Sequence, residues 1–220
     1  MSTESERTVV HLLRHGEVHN PAGVLYGRMA GYHLSDLGRQ MAERVADELA
    51  GRDIVHLVSS PLERAQQTAA PFVERLGLDI TTDRRAIEAA NYFEGKSFAV
   101  GSGALFRPSA WWHLRNPVRP SWGEPYRQLV RRMRDTMDDA RIAAAGHEAL
   151  VVSHQLPIWI VRCAVEGRPL VHDPRRRQCT LCSLTSFTYV GDEIVSVGYS
   201  EPAVDLLPVR ERKAKFSAGA

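Results

Sequence analysis

The stretch VVHLLRHGEVHN, residues 9–20, decides how the rest of the chain is read. Its first five residues are valine or leucine apart from His11. A short apolar run of this kind predicts a strand buried on both faces. The run stops at Arg14-His15-Gly16. In open α/β sheets ligands bind at the carboxyl ends of the strands, which is where this arginine and histidine would fall. Taken alone, the stretch leaves three readings of His15 open: a nucleophile that attacks phosphorus, a metal ligand, or a polar residue in a turn.

Working outward, a loop rich in Gly, Pro and Tyr leads to Ser35, a good N-cap. The following DLGRQMAERVADELAG repeats Leu37, Met41, Val45 and Leu49 every fourth residue, with Ala42 and Ala46 beside them, and predicts an amphipathic helix closed by Gly51. IVHLV, residues 54–58, predicts a second buried strand. Ser60 as cap and Pro61 at the first helical position then open a helix to about Leu76, kinked or restarted at Pro71. DITT, residues 79–82, reads as a third strand. Residues 83–122 lack a clean period, carry Trp111, Trp112 and Trp122, and are expected to form a loop-rich, cap-like excursion over the active site. A helix over roughly 124–145, a strand at ALVVS (149–153) and the apolar helical run LPIWIVRCAVEG follow. Two alternating segments, TLCSLTSFTYV and EIVSVGYS, joined by Gly191-Asp192, predict a hairpin.

This alternation predicts an α/β fold, a three-layer α/β/α sandwich with a mostly parallel sheet. It is expected to form one domain over residues 8–208, with flexible tails at 1–7 and 209–220. With 28 basic and 26 acidic residues, net charge +2, the chain has no footprint of a nucleic-acid binder. No run of 18 apolar residues predicts a membrane span, and the polar N-terminus lacks a signal core. The odd set Cys163, Cys179 and Cys182 predicts reduced thiols and a cytoplasmic location. A homodimer is left open.

The strand ends gather charge. Arg14 and His15 end the first strand, Arg64 lies in the first turn of the helix after the second, and His154 ends the strand starting near Ala149. Carboxyl-end geometry brings these four to one crevice, with helix amides that favour an anion. Arginine offers a planar fork that matches phosphate oxygens. A neutral imidazole can attack phosphorus and form a phosphohistidine, provided a carboxylic acid protonates the leaving oxygen.

Four ordered segments give this pattern a family. RHGE at 14–17, LSDLG at 34–38, SSPLERAQQTA at 59–69 and VVSH at 151–154 resemble the signature of the histidine phosphatase superfamily, the phosphoglycerate mutase-like proteins, over about residues 8–190. The resemblance implies that His15 is the nucleophile and that Arg14, Arg64 and His154 grip the phosphoryl group. It implies a proton-donor glutamate in AIEAANYFEGKSF, where Glu88 matches the donor and 91–95 match the later part with one residue missing; Glu94 is the competitor. Asn20 stands four residues after Gly16 instead of five, as a phosphate ligand one place off. Gln155 stands where glycine is usual, with its backbone amide toward the phosphate and its side chain narrowing the pocket.

Other residues carry plainer expectations. His11, His56 and His147 are read as packed or surface histidines, and His19 and His33 as flanking the entrance loop. Cys179 and Cys182 are placed inside a strand on opposite faces, which disfavours a disulfide, and without a second pair they make no zinc site. The run Arg175-Arg176-Arg177 is expected near the pocket mouth, attracting an anionic substrate. Gly123-Glu124-Pro125 is read as structural.

The leading expectation is a metal-independent phosphomonoesterase, without cofactor, acting through a phosphohistidine on a small phosphorylated substrate. The alternatives are phosphoglycerate mutase-type phosphoryl transfer and a non-catalytic phospho-ligand binder. Mutases of the family that the chain resembles carry arginine-rich matches after the donor glutamate, whereas ANYFEGKSFAVGSGALF has one lysine and no arginine before Arg107. Substrate identity is assigned to the wall segment 96–122.

Overall fold

In the computed structural model, residues 7–95 and 123–207 are described. The tails and the tryptophan-bearing segment 96–122 lie outside the described residues. The strands are β1 (Arg7–Arg14), β2 (Ile54–Ser59), β3 (Ile80–Thr82), β4 (Glu148–Ser153), β5 (Leu184–Val190) and β6 (Glu193–Ser200). The helices are α1 (Asp36–Leu49), α2 (Glu63–Leu76), α3 (Tyr126–Ala143) and α4 (Gln155–Val165). They form one six-stranded sheet in the order β3-β2-β4-β1-β5-β6. The first four strands are mutually parallel, and β5 and β6 close the far edge antiparallel. The expected α/β sandwich with a mostly parallel sheet is therefore present.

Strand alternation explains the three layers. Leu13 faces one side, where it joins Met41, Val45 and Leu49 of α1 and Phe72 of α2. Its neighbour Leu12 faces the other, with Met133 and Met137 of α3 and Ile158 and Val161 of α4. Both residues are fully buried, so β1 is apolar on both faces, as its sequence demands. Among the described residues no helix is long and apolar enough to cross a membrane.

Several local expectations are corrected. β1 begins at Arg7, because Arg7 and Thr8 pair with Val190 and Tyr189 of β5. Ser35 does cap α1, accepting from Gly38 N at 2.9 Å, but the helix ends at Leu49 and its C-cap Ala50 keeps right-handed backbone, so Gly51 does not close it. α2 starts at Glu63 with Leu62 as an N-cap that makes no side-chain bond, and Pro61 lies ahead of the helix. It runs as one helix through Pro71 and stops at Gly77, whose φ of 66° is the left-handed turn that glycine accepts most readily. Cys179 and Cys182 are not inside a strand. They precede β5, Cys182 with φ 53°, and both are buried free thiols.

Candidate active site

The crevice is built at the carboxyl edge of β1, β2 and β4. Parallel pairing sets Arg14 opposite Ser153 in the β1/β4 register, so His15 and His154, one residue further on, emerge side by side. The His15 amide donates to Ser153 O at 3.1 Å and fixes that alignment. The next residue must be glycine: a Cβ on Gly16 would lie 2.6 Å from Gly38 O. The LSDLG segment closes over the same loop from the other side. Ser35 N donates to Glu17 O at 3.0 Å, and the Ser35 hydroxyl donates to the Glu17 carboxylate. Thr68 of α2 adds a third tie: its hydroxyl accepts from Gly16 N at 3.1 Å and donates to Arg64 O at 2.7 Å.

His15 is fully buried. Its Nδ1 lies 2.8 Å from Gly16 O, an oxygen that can only accept, so Nδ1 carries the proton and Nε2 holds a lone pair. Among the described residues no atom partners that Nε2. Burial, then the charges of Arg64 and Arg14, push the ring's pKa well below 6.5 and keep it neutral. His154 is equally buried and its pKa is pushed down in the same way, by burial first and then by Arg64 and His15. Its Nε2 pairs with Ser60 Oγ at 2.7 Å, while Nδ1 has no partner among the described residues.

The two arginines are buried cations with fixed orientations. Arg14 Nη1 donates to Cys179 O at 2.7 Å. Arg64 Nη2 donates to Gly27 O at 2.6 Å, and its guanidinium carbon sits 4.7 Å from the centroid of the Tyr26 ring. Arg64 Nε and Nη1 are buried, with no partner among the described residues. Buried guanidinium donors left open beside two neutral imidazoles form a ready anion site. Among the described residues no three His, Cys, Asp or Glu side chains gather to hold a metal ion.

The two acid candidates are separated by the fold. Glu88 is buried; its Oε1 accepts from Ala89 N at 2.7 Å, and its Oε2 has no partner among the described residues. Burial raises its pKa above the ordinary carboxyl value, against the lowering pull of the Ala89 amide and of Arg64 and Arg177. Glu94 is half-buried and its carboxylate accepts from Asn91 N at 3.2 Å within its own turn.

Asn20 and Gln155 point elsewhere than expected. Asn20 uses both ends of its amide on Val24, donating to its carbonyl at 2.8 Å and accepting from its N–H at 3.2 Å, so it closes the entrance loop. Gln155 donates to Cys179 O at 3.3 Å and accepts from Arg177 Nη1 at 3.3 Å. Its side chain bonds Arg177 directly and shares the Cys179 carbonyl with Arg14. Tyr26, Ser60 and Thr68 join the site without any sequence pattern having assigned them a role. Ser60 and Thr68 do lie in the 59–69 segment, but Tyr26 carries no local signal. Gly123-Glu124-Pro125 is structural as read: Glu124 pairs with Arg28 and Arg132 at 2.8 Å each, and both arginines donate to the Glu88 carbonyl.

A neutral buried imidazole between two buried arginines, at the carboxyl edge of a parallel sheet, defines a phosphoryl-transfer class of protein. The comparisons narrow it. Residues 10–202 match the sequence model of the histidine phosphatase superfamily (branch 1), and the chain belongs to that family. The uncharacterized protein Rv0525 of Mycobacterium tuberculosis is 55% identical over 198 residues, covering 90% of this chain and 98% of that protein. A probable phosphoglycerate mutase, GpmB, of Yersinia pestis is 30% identical over 187 residues, covering 82% of this chain and 84% of that one. Among solved structures, mycobacterial glucosyl-3-phosphoglycerate phosphatase Rv2419c shares the fold with a TM-score of 0.70 at 24% identity, covering 88% of this chain and 96% of that chain.

Proposed function

We propose that the protein is a metal-independent phosphomonoesterase that works through a phosphohistidine at His15 on a small phosphorylated substrate. The observation that carries this reading is the unpartnered Nε2 lone pair of a buried, neutral His15. In the first step Nε2 forms a bond to phosphorus as the P–O bond to the leaving alcohol breaks, and Glu88 gives that alcohol its proton. Arg14, Arg64 and His154 hold the non-bridging oxygens and offset their charge. In the second step water attacks phosphorus, its proton passes to Glu88, and the P–N bond breaks to release phosphate. The raised Glu88 pKa suits a group that begins as an acid.

The test is hydrolysis of p-nitrophenyl phosphate in excess chelator, with a quench that traps acid-labile phosphoenzyme. Turnover should survive chelation, and His15→Ala should lose both turnover and the trapped phosphate. Loss of activity on chelation, or full activity in His15→Ala, overturns the reading.

The 30% identity to a probable phosphoglycerate mutase favours a second reading, in which the phosphohistidine returns its phosphoryl group to the substrate. A coupled mutase assay with and without bisphosphoglycerate separates the two. Phosphate binding without turnover across a broad panel of esters would instead make the protein a phospho-ligand binder.

A further inference from the structure

The fold splits the run of three arginines. Arg175 is exposed and pairs with Asp173 at 2.9 Å, and Arg176 is exposed beside it. Arg177 turns inward. Its Nε donates to His172 Nε2 at 2.8 Å and its Nη1 to Gln155 Oε1 at 3.3 Å. Both acceptors are neutral. His172 Nδ1 lies 2.7 Å from Leu170 O, which places the ring proton there and the lone pair on Nε2. Among the described residues, then, Arg177 is oriented by two neutral groups and by no carboxylate, and its positive charge is held in place without being cancelled.

Arg177 lines a cavity of about 280 Å³ that Glu88 and Gly27 also line. Gly27 is the residue whose carbonyl anchors Arg64, so the cavity adjoins the phosphoryl crevice on the side of the proposed acid. The alcohol that Glu88 protonates would extend into it. The cavity's other acid, Glu124, is already neutralised by Arg28 and Arg132. With Glu124 paired and Glu88 held as the neutral acid, Arg177 brings one positive charge to the cavity, which matches a monoanion better than a second dianion, and a guanidinium fork fits a carboxylate.

We propose that Arg177 is a specificity-determining residue, which binds a carboxylate on the alcohol part of the substrate while the phosphoryl group rests on Arg14, Arg64 and His154. This deepens the phosphomonoesterase reading and rests on it. The two anion sites share a brace: Gln155, which holds Arg177, donates to the same Cys179 carbonyl that holds Arg14. That link sets the spacing between the arginines, and so the distance between carboxylate and phosphoryl group that the site accepts.

The test compares two ligands of equal length, 3-phosphoglycerate and glycerol 3-phosphate, which differ in carboxylate against hydroxymethyl. Calorimetry on the His15→Ala protein measures binding without turnover. The carboxylate ligand should bind about 10- to 100-fold more tightly, the range of a charge-assisted hydrogen-bond pair. Adding Arg177→Gln should bring the ratio near parity, and Arg177→Lys, which keeps the charge without the fork, should retain part of it. Equal affinity in the presence of Arg177, or a ratio unmoved by Arg177→Gln, overturns the inference. Should the glutamine variant bind neither ligand, the lysine variant decides by the same ratio. Hydrolysis assays on the unmodified protein report separately. A carboxylate preference in binding with no hydrolysis of any ester sinks the phosphatase reading and leaves this site standing. Hydrolysis without the preference does the reverse.

Discussion

The rings of His15 and His154 stand with centroids 5.1 Å apart and planes tilted by 59°. They follow adjacent parallel strands, and among the described residues each leaves one nitrogen without a partner: Nε2 on His15, Nδ1 on His154. Burial and the two arginines depress both pKa values, so the pair is neutral where an isolated histidine would begin to charge. A neutral pair can offer a lone pair and a hydrogen bond to one phosphoryl group without opposing charge on the nucleophile.

The identity of the acid is readable from the leaving group. Glu88→Gln should cut kcat for alkyl phosphates by about 10²–10⁴-fold, the usual worth of a positioned acid. The loss should be much smaller for p-nitrophenyl phosphate, whose leaving phenolate needs no proton. Because the Glu88 pKa is raised, the acid stays protonated to higher pH than an ordinary carboxyl, and kcat for alkyl esters should fall as pH rises through it. That alkaline limb should vanish in Glu88→Gln. If Glu94→Gln shows the leaving-group dependence instead, the assignment passes to Glu94.

Thr68 is a positioning residue whose hydroxyl joins the nucleophile loop to the helix that carries Arg64. Thr68→Val keeps the shape, strands the buried Gly16 N–H and should cost about 1–3 kcal/mol of stability in a denaturant titration. Thr68→Ser should recover most of it. Phosphate affinity, measured without denaturant where circular dichroism shows each variant folded, should fall in Thr68→Val and return in Thr68→Ser; an unchanged affinity in folded Thr68→Val would leave the hydroxyl a purely structural role.

Gly38 faces the chain so closely that a Cβ would lie 2.0 Å from Glu17 O. Backbone cannot yield as a flexible side chain can, so Gly38→Ala should destabilise the protein by about 1–3 kcal/mol or more. It should also lower turnover, because the displaced Glu17 adjoins Gly16 and His15. Gly51→Ala serves as the control: nothing lies within 4 Å of its Cβ position, and its stability should hardly move.

Stability should fall on acidification from about pH 7. His11, His15 and His154 all have folded pKa values below the unfolded 6.5. For such a group the unfolded state binds the proton first, so its contribution is complete above the unfolded pKa and is lost as pH drops below it. Each group can add up to about 1.4 kcal/mol per pH unit in that window. Glu88 has the opposite sign, since its raised pKa removes stability as pH rises. Urea midpoints at successive pH values should therefore drop steeply below pH 6.5, and the slope should lessen in His154→Asn. A flat profile across that range would contradict neutral burial of the histidines.

Much of the architecture was legible because its causes are local. The apolar runs at 9–13, 54–58 and 149–153 can be strands only if both faces are covered. The four-residue spacing from Leu37 to Leu49 and the Ser35 cap need no distant partner to define α1. The strand-end positions of Arg14, His15 and His154 then follow from the alternation of strands and helices. The errors among these elements come from distant partners. Ser60 looked like a helix cap, and its hydroxyl does accept from Leu62 N at 3.4 Å, but it also pairs with His154, 94 residues away, and α2 opens later at Glu63.

What the sequence by itself determined was the order of the elements, the covered faces of β1 and the set of chemistry-bearing residues at strand ends. Tertiary structure alone decided which atoms of those residues are free. Asn20, a candidate ligand in the chain, ties its amide to Val24 in the entrance loop. Gln155 reaches Cys179, and Arg177 leaves an arginine run to lie beside Glu88 in a cavity. His15 and Gly16 owe their placement to Ser153, Thr68 and Gly38, which lie on three separate elements. Hydrophobic periodicity is written into neighbouring residues, but a hydrogen bond is satisfied by whichever donor or acceptor the packed chain brings within 3 Å or so. For that reason the nucleophile's position could be read from a dozen residues, while its lone pair could be seen only in the fold.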